Sequence, residues 1–300
     1  MKKWWFYQKE RFPLVMYIPM MALFALSGLS YSWHLAHDAG SFSDIGLILY
    51  VIAVLVTLFW FMLLRIADEH KDFEEDIKYR PYLPVPRGLI TLKELRNLGL
   101  GLGIIQVLML IWLDWQLLIV LAIVYVWFLL MYKEFFIPQW LKARPICYLA
   151  SHMLIMPLIS LLITAIEWLP RGRGFSLGIL IYLIASFCNG TIVEVGRKLR
   201  AQADEEAGVD TYTGVWGVKR AMVIWIICLT ISGASTVWAG LQIRMGREIL
   251  IVFSILYVYG IFTAKRFAKK PTPKNAKVFK ILPSVWTLLI YLMLGLLPFF

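Results

Sequence analysis

Charge is what this 300-residue chain has least of. Asp, Glu, Lys and Arg make up 16% of it, against about a quarter in soluble domains. With 60% hydrophobic residues and a mean hydropathy of +0.73, it lacks the polar surface to cover itself in water. Cysteine is scarce too. Cys147, Cys188 and Cys228 lie in apolar runs without metal-ligand spacing, which implies no disulfide framework and reads as packing. His34, His37, His70 and His152 likewise have no ligand spacing. The apolar runs are too long and too continuous for barrel strands, which alternate over about ten residues. Lys and Arg exceed Asp and Glu by 30 to 19, yet they follow loops rather than a groove, and no nucleic-acid partner is expected.

What is present is a series of apolar runs, at about 13–34, 45–66, 97–113, 116–133, 146–166, 176–193, 218–239, 247–263 and 281–300. A helix crossing the bilayer core needs about 20 apolar residues. The expected fold is therefore all-α, a polytopic membrane bundle of about nine transmembrane helices forming one domain over 1–300. The first run is long enough to span, which disfavours a cleaved signal peptide. Before it, Lys2-Lys3-Trp4-Trp5 mixes cations with aromatics, as at a headgroup boundary. Of the 30 Lys and Arg residues, 25 fall at the N-terminus or in every second loop, and only Arg171, Arg173, Arg244 and Arg247 fall opposite. The positive-inside rule then places the N-terminus and those loops in the cytoplasm.

Most acids gather in two of these loops, 67–96 and 194–217. In the first, Asp68, Asp72 and Asp76 recur every four residues, which puts three carboxylates along one helical face. At about 6 Å and an effective dielectric near 20, each adjacent pair repels by roughly 3 kcal/mol. An enclosed face of this kind needs a cation, and oxygen-only ligands suit Mg²⁺ better than zinc. The bland alternative is a solvated helix face neutralised by Lys71 and Lys78. Arg80 and three prolines follow: Pro81, Pro84 and Pro86 forbid helix and stiffen the crossing. Gly88 permits a turn, and Thr91 with Glu94 reads as a capping box.

This stretch resembles the UbiA superfamily of intramembrane prenyltransferases, whose first motif is Asn/Asp-x-x-x-Asp-x-x-x-Asp followed by Arg-Pro-x-Arg-Pro-x-Pro-x-Gly. Asp68, Asp72, Asp76, Arg80, Pro81, Pro84, Pro86 and Gly88 fall in register, while Leu83 stands where a second Arg is usual. The family's second motif, Asp-x-x-x-Asp then Gly and Thr or Ser, is matched by Asp204, Gly208 and Thr211. Its first Asp position is Arg200, which cannot bind metal. Glu194 is the nearest upstream acid, and on a continuous helix Arg197 and Asp204 would share a face.

The resemblance implies ionisation of an isoprenyl diphosphate with Mg²⁺ as cofactor. Asp68, Asp72, Asp76 and Asp204 would hold metal, with Glu205 or Glu194 assisting. Arg80, Arg197, Lys198 and Lys133 would contact the diphosphate. The alternative for the second-loop cations is ordinary positive-inside charge. The prenyl group would pass to an aromatic or lipid acceptor, or the substrate's own double bond would attack, as in a UbiA-type terpene cyclase. A cation transporter is the rival from another class. It fits less well, because the acids sit at helix ends rather than inside the spans.

Overall fold

The computed structural model describes residues 2–37, 42–205 and 211–300, and every regular element among them is a helix. A polar helix α1 (Lys2–Arg11) leads into α2 (Leu14–His34). A short α3 (Phe42–Ile45) precedes α4 (Leu47–Lys71), which runs on into α5 (Phe73–Tyr79). The hairpin α6 (Leu92–Leu113) and α7 (Leu117–Tyr132) is followed by α8 (Pro138–Lys142), α9 (Pro145–Met153) and α10 (Ile155–Trp168). Then come α11 (Leu177–Arg197), α12 (Tyr212–Trp216), α13 (Val218–Leu241), α14 (Gly246–Lys269), α15 (Pro273–Ala276) and α16 (Val278–Gly295).

Eight helical stretches are long and apolar enough to cross a membrane, with α9–α10 and α15–α16 each counted as one. The ninth expected span is α7, apolar throughout but only 16 residues long. Helices α2, α10 and α11 form the inside of the bundle. α2 packs on α4, α10 and α16, and α11 packs on α10, α13 and α16. Helices α6 and α14 are the least buried.

Between helices in lipid there is no hydrophobic driving force, so close packing and hydrogen bonds hold the inside together. Small residues supply the first. An added Cβ at Gly28 would press on Ile163, and one at Gly295 on the Ser27 backbone. Polar residues supply the second. Tyr31 Oη donates to the carbonyls of Gly178 (3.1 Å) and Ala239 (3.2 Å), Tyr182 Oη to Ser27 Oγ (3.1 Å), and Trp286 Nε1 to Ser232 Oγ (3.0 Å). At one end of α10 the buried Glu167 accepts from Ser32 Oγ at 2.5 Å and pairs with Arg171 and Arg173.

Two local features shape the other end. Pro157 has no N–H for the Met153 carbonyl, and the helix is interrupted between α9 and α10 at Leu154. Helix α4 continues five residues past its apolar run, and its ladder survives the bend into α5. The Asp72 N–H donates to Asp68 (2.8 Å), the Asp76 N–H to Asp72 (2.8 Å) and the Arg80 N–H to Asp76 (2.8 Å). The three aspartates thus follow one another a turn apart. After the proline strap, Gly88 takes φ +78° and the Thr91–Glu94 capping box forms in full.

Gly196 lies where α11 crosses α16, directly before Arg197. A Cβ there would fall within van der Waals contact of the Phe279 carbonyl oxygen, and backbone cannot swing aside. Gly196→Ala is therefore expected to destabilise the fold by about 1–3 kcal/mol, the usual cost of overpacking. It should be read as a lowered thermal midpoint of the detergent-purified protein; an unchanged midpoint would mean that α11 and α16 sit farther apart.

Candidate active site

The sequence places the aspartates alike, but their surroundings differ. Asp68, with its side chain 57% exposed, makes one ion pair among the described residues, to Arg65 at 3.8 Å. Asp72 joins α4 to α5 half-buried, and among the described residues no ion pair engages it. Asp76 is 2% exposed, between Arg80 (2.6 Å) and Arg11 (3.9 Å). Burial pushes its carboxyl above the ordinary aspartate range, while Arg80 and Arg11 pull against that shift.

Arg11 comes from the far end of the sequence. Helix α1 lies across the first acidic loop, with Tyr7 packed against Ile66, Val85, Ile90 and Leu95. Lys3 pairs with Glu94, and Arg87 of the strap makes a fork to Glu10 at 2.8 and 3.1 Å. Arg11 then reaches Glu69 (2.6 Å), itself 1% exposed and also within 3.3 Å of Arg65. Burial disfavours the charge on Arg11, but the hydrogen bond and charge of Glu69 outweigh it and raise its pKa.

A second cluster lies beside Asp72. Lys71 Nζ meets Glu134 Oε1 (2.6 Å), Tyr148 Oη (2.8 Å) and His152 Nε2 (3.4 Å), which uses all three ammonium protons. Tyr148 and His152 sit one turn apart on α9 with their rings stacked 3.9 Å apart. Glu134, Phe135 and Phe136 all take positive φ, a left-handed turn that brings the Glu134 carboxylate inside. None of these four groups stood out as a site residue in the sequence. Glu134 was legible only as an acid beside Lys133, whose ammonium lies over the Tyr132 ring at 5.5 Å.

Across from α4, helix α11 ends at Arg197, so Arg197 and Asp204 do not share a helical face: the chain leaves the helix and Asp204 sits in a short 3-10 turn, Gln202–Asp204. Glu194 is taken up by Arg197, bidentate at 2.8 and 3.0 Å, and by Lys198 at 3.4 Å. Lys198 also lies over the buried Tyr212 ring at 5.6 Å. The Arg197 guanidinium, 66% exposed, comes close enough for its charge to be felt at Asp68. Asp204 and Glu205 line a separate cavity of about 700 Å³ with Arg200, Lys274, Lys277 and Lys280. Glu205 also accepts from Thr211 Oγ1 at 2.9 Å, and Thr211 caps α12. Gly208 lies outside the described residues.

The six expected metal carboxylates are thus not gathered into one group. Among the described residues no three His, Cys, Asp or Glu side chains stand close enough together to hold a metal ion. What comes within electrostatic reach across the bundle is Asp68, near the end of α4, and Arg197, at the end of α11.

The sequence matches the UbiA prenyltransferase family over residues 21–291. The chain belongs to that family. Among solved structures it is similar to a digeranylgeranylglyceryl phosphate synthase, at 18% identity and TM-score 0.60, over 98% of this chain and 99% of that one. An apo UbiA homologue from Aeropyrum pernix K1 is 12% identical with TM-score 0.66, over 90% and 96%. A UbiA homologue from Archaeoglobus fulgidus bound to DMAPP and Mg²⁺ is 11% identical with TM-score 0.51, over 94% and 98%. At these identities the likeness is one of fold. Among curated proteins none matches the sequence.

Removing the Arg11 cation would leave Glu69 and Asp76 buried with less charge than they need. Loss of one partner from a buried ion pair costs about 3–5 kcal/mol. Arg11→Met should lower the thermal midpoint, and adding Glu69→Gln should recover part of the loss. A midpoint unchanged by Arg11→Met would show that α1 does not bear on the acidic loop.

Proposed function

We propose that this UbiA family member ionises an isoprenyl diphosphate at the membrane edge, with Mg²⁺, and passes the prenyl group to an acceptor. The supporting observation is that Arg197, at the end of α11, comes close enough for its charge to be felt at Asp68, at the end of α4, one turn before Asp72. The Archaeoglobus homologue bound to DMAPP and Mg²⁺ supports the substrate class.

The donor set fits Mg²⁺, which commonly binds through one or two carboxylates plus substrate phosphates rather than an all-protein cage. Asp68 and Asp72 would hold it, since Asp72 has no ion-pair partner among the described residues and Asp68 only a distant one. Bound there, the ion would offset charge developing on the departing diphosphate. Arg197 and Lys198 would take phosphate oxygens from the opposite side, exchanging Glu194 for the substrate; an Arg fork suits these oxygens. On this reading Asp76 pairs with Arg80 and Arg11, and Glu194 with Arg197 and Lys198, which positions α5 and the end of α11. Asp204 and Glu205 contribute from the neighbouring lysine-lined cavity. Heterolysis leaves an allylic cation, which survives only where water is excluded, and the apolar inside of the bundle supplies that exclusion. The positive-inside bias puts this edge on the cytoplasmic side.

The test is diphosphate release by the purified protein with geranyl, farnesyl or geranylgeranyl diphosphate and Mg²⁺, with and without aromatic or lipid acceptors. Transfer predicts release that depends on an acceptor and stops when EDTA removes the metal. Cyclic hydrocarbon formed without acceptor would instead establish a cyclase, which shares the ionisation step. Ion flux into liposomes without isoprenyl diphosphate would favour a transporter. Asp72→Asn should cut release at least a hundredfold with the thermal midpoint unchanged, about the 3 kcal/mol expected of a lost charge contact. Full activity in that variant would remove Asp72 from the metal site.

A further inference from the structure

A second cavity, of about 640 Å³, lies on the outer face of the bundle between α4, α6 and α7. That volume is within the ~300–1,000 Å³ of ordinary ligand pockets. It opens sideways, where lipid surrounds the spans, and its chemistry is divided along its length. The deep part is lined by Leu63, Gly99, Gly103, Val107 and Leu108. Its one phenol is already satisfied: Tyr125 Oη donates to Gln106 Oε1 at 2.6 Å, and Gln106 Nε2 donates to the Val56 carbonyl at 3.2 Å. The other end carries His70, Arg96 and Tyr132. These stand at the end of α4, the start of α6 and the end of α7, all on the acidic-loop side.

The groove owes its depth to α6, where glycine recurs at 99, 101 and 103. A Cβ at Gly103 would meet Tyr125 Oη at 3.1 Å, and one at Gly99 would meet Leu63 Cδ2 at 3.4 Å. From Arg96 to Leu108 the helix rises about 18 Å, slightly more than half of the ~30 Å hydrocarbon core. That is the reach of a chain rooted in one leaflet. At the mouth, Arg96 is exposed and has no ion pair among the described residues, because its neighbour Glu94 is held by Lys3 and Thr91. His70 turns Nδ1 to the Ile66 carbonyl at 2.9 Å, which leaves Nε2 for an outside partner.

We infer that this groove holds one anionic glycerophospholipid, one acyl chain along Gly99 and Gly103 and its phosphate against Arg96. Charge decides the occupant. A phosphodiester carries about one negative charge, matched by the one guanidinium. A prenyl diphosphate carries about three and needs metal or more cations, and the groove has no carboxylate in its lining to hold metal. His70 lies between Asp68 and Asp72 in sequence but on the opposite side of α4. The bound lipid would therefore brace the helix that carries the first acidic motif without entering the site.

The experiment is native mass spectrometry of the delipidated full chain, titrated with phosphatidylglycerol or phosphatidylcholine. One phosphatidylglycerol should be retained per chain, at least tenfold more strongly than phosphatidylcholine. Arg96→Gln, an exposed position that leaves packing intact, should weaken phosphatidylglycerol about tenfold, as expected for loss of one charge-assisted hydrogen bond. Gly103→Leu should block both lipids. Equal retention of the two head groups, or unchanged phosphatidylglycerol retention in Arg96→Gln, would overturn the assignment. So would displacement of the lipid by equimolar farnesyl diphosphate, which would make the groove a prenyl-chain site. None of these readouts depends on catalytic activity, so the assignment stands or falls apart from the proposed reaction.

Discussion

A carboxylate at the end of a membrane helix has to be neutralised from within the protein, because water is too thin there to do it. Much of this structure follows from how that is met. Glu69 takes Arg11 and Arg65, Asp76 takes Arg80 and Arg11, Glu134 takes Lys71, and Glu194 takes Arg197 and Lys198. The long-range pairs tie elements together, Arg11 joining α1 to α4 and α5 and Lys71 joining the α7–α8 turn to α4, while the others lie within one helix or its end. Among the described acids at the end of α4, Asp68 has only a distant ion pair and Asp72 has none, while the exposed Glu74 and Glu75 of α5 face solvent. The chemistry assigned to Asp68 and Asp72 thus rests on subtraction, since every buried acid around them is already committed.

The bundle was legible in the sequence because its cause is local. A run of apolar residues longer than the hydrocarbon core declares a span by itself, and the aspartate spacing declares a turn-by-turn face. Gly88 and the Thr91–Glu94 box declare where the strap ends. The ion-pair partners were not legible. Arg65 and Glu69 stand four apart and could have been paired on paper, but Arg11 is 58 residues from Glu69 and Lys71 is 63 from Glu134. Only tertiary packing brings them together. Charge counting by loop treats Arg11 and Lys71 as interchangeable members of one charge excess and says nothing about Arg11 meeting Glu69 or Lys71 meeting Glu134.

The Lys71 cluster shows a second reason. Tyr148 and His152 sit in an apolar run that reads as one span from 146 to 166. Both rings lie on α9, before the interruption at Leu154, and reach Lys71 there. Pro157 is the signal, acting one turn upstream through the carbonyl it leaves without a donor. Likewise Glu134 points inward only because three consecutive residues adopt left-handed backbone. Non-glycine residues rarely do so, and nothing in Glu134-Phe135-Phe136 announces it.

The two acidic loops are unequal, and the inequality bears on how a diphosphate would be held. The second loop places Arg200 where the family's pattern has its first Asp, and its Glu194 is neutralised twice over. In an enclosed site, charges must nearly balance, since a residual unit charge in low dielectric costs several kcal/mol. A departing diphosphate brings about three negative charges; Asp68 and Asp72 add two. One Mg²⁺ with Arg197 and Lys198 offsets most of that, and substrate binding would release Glu194 from both cations. A second metal ion is called for only where further carboxylates join the site. Arg200, standing where the pattern has an Asp, removes one of those carboxylates, and its own guanidinium lines the separate lysine-rich cavity. On the proposed reading, then, the divergent loop substitutes fixed protein cations for metal, and it does so with residues whose side chains already stand at the end of α11.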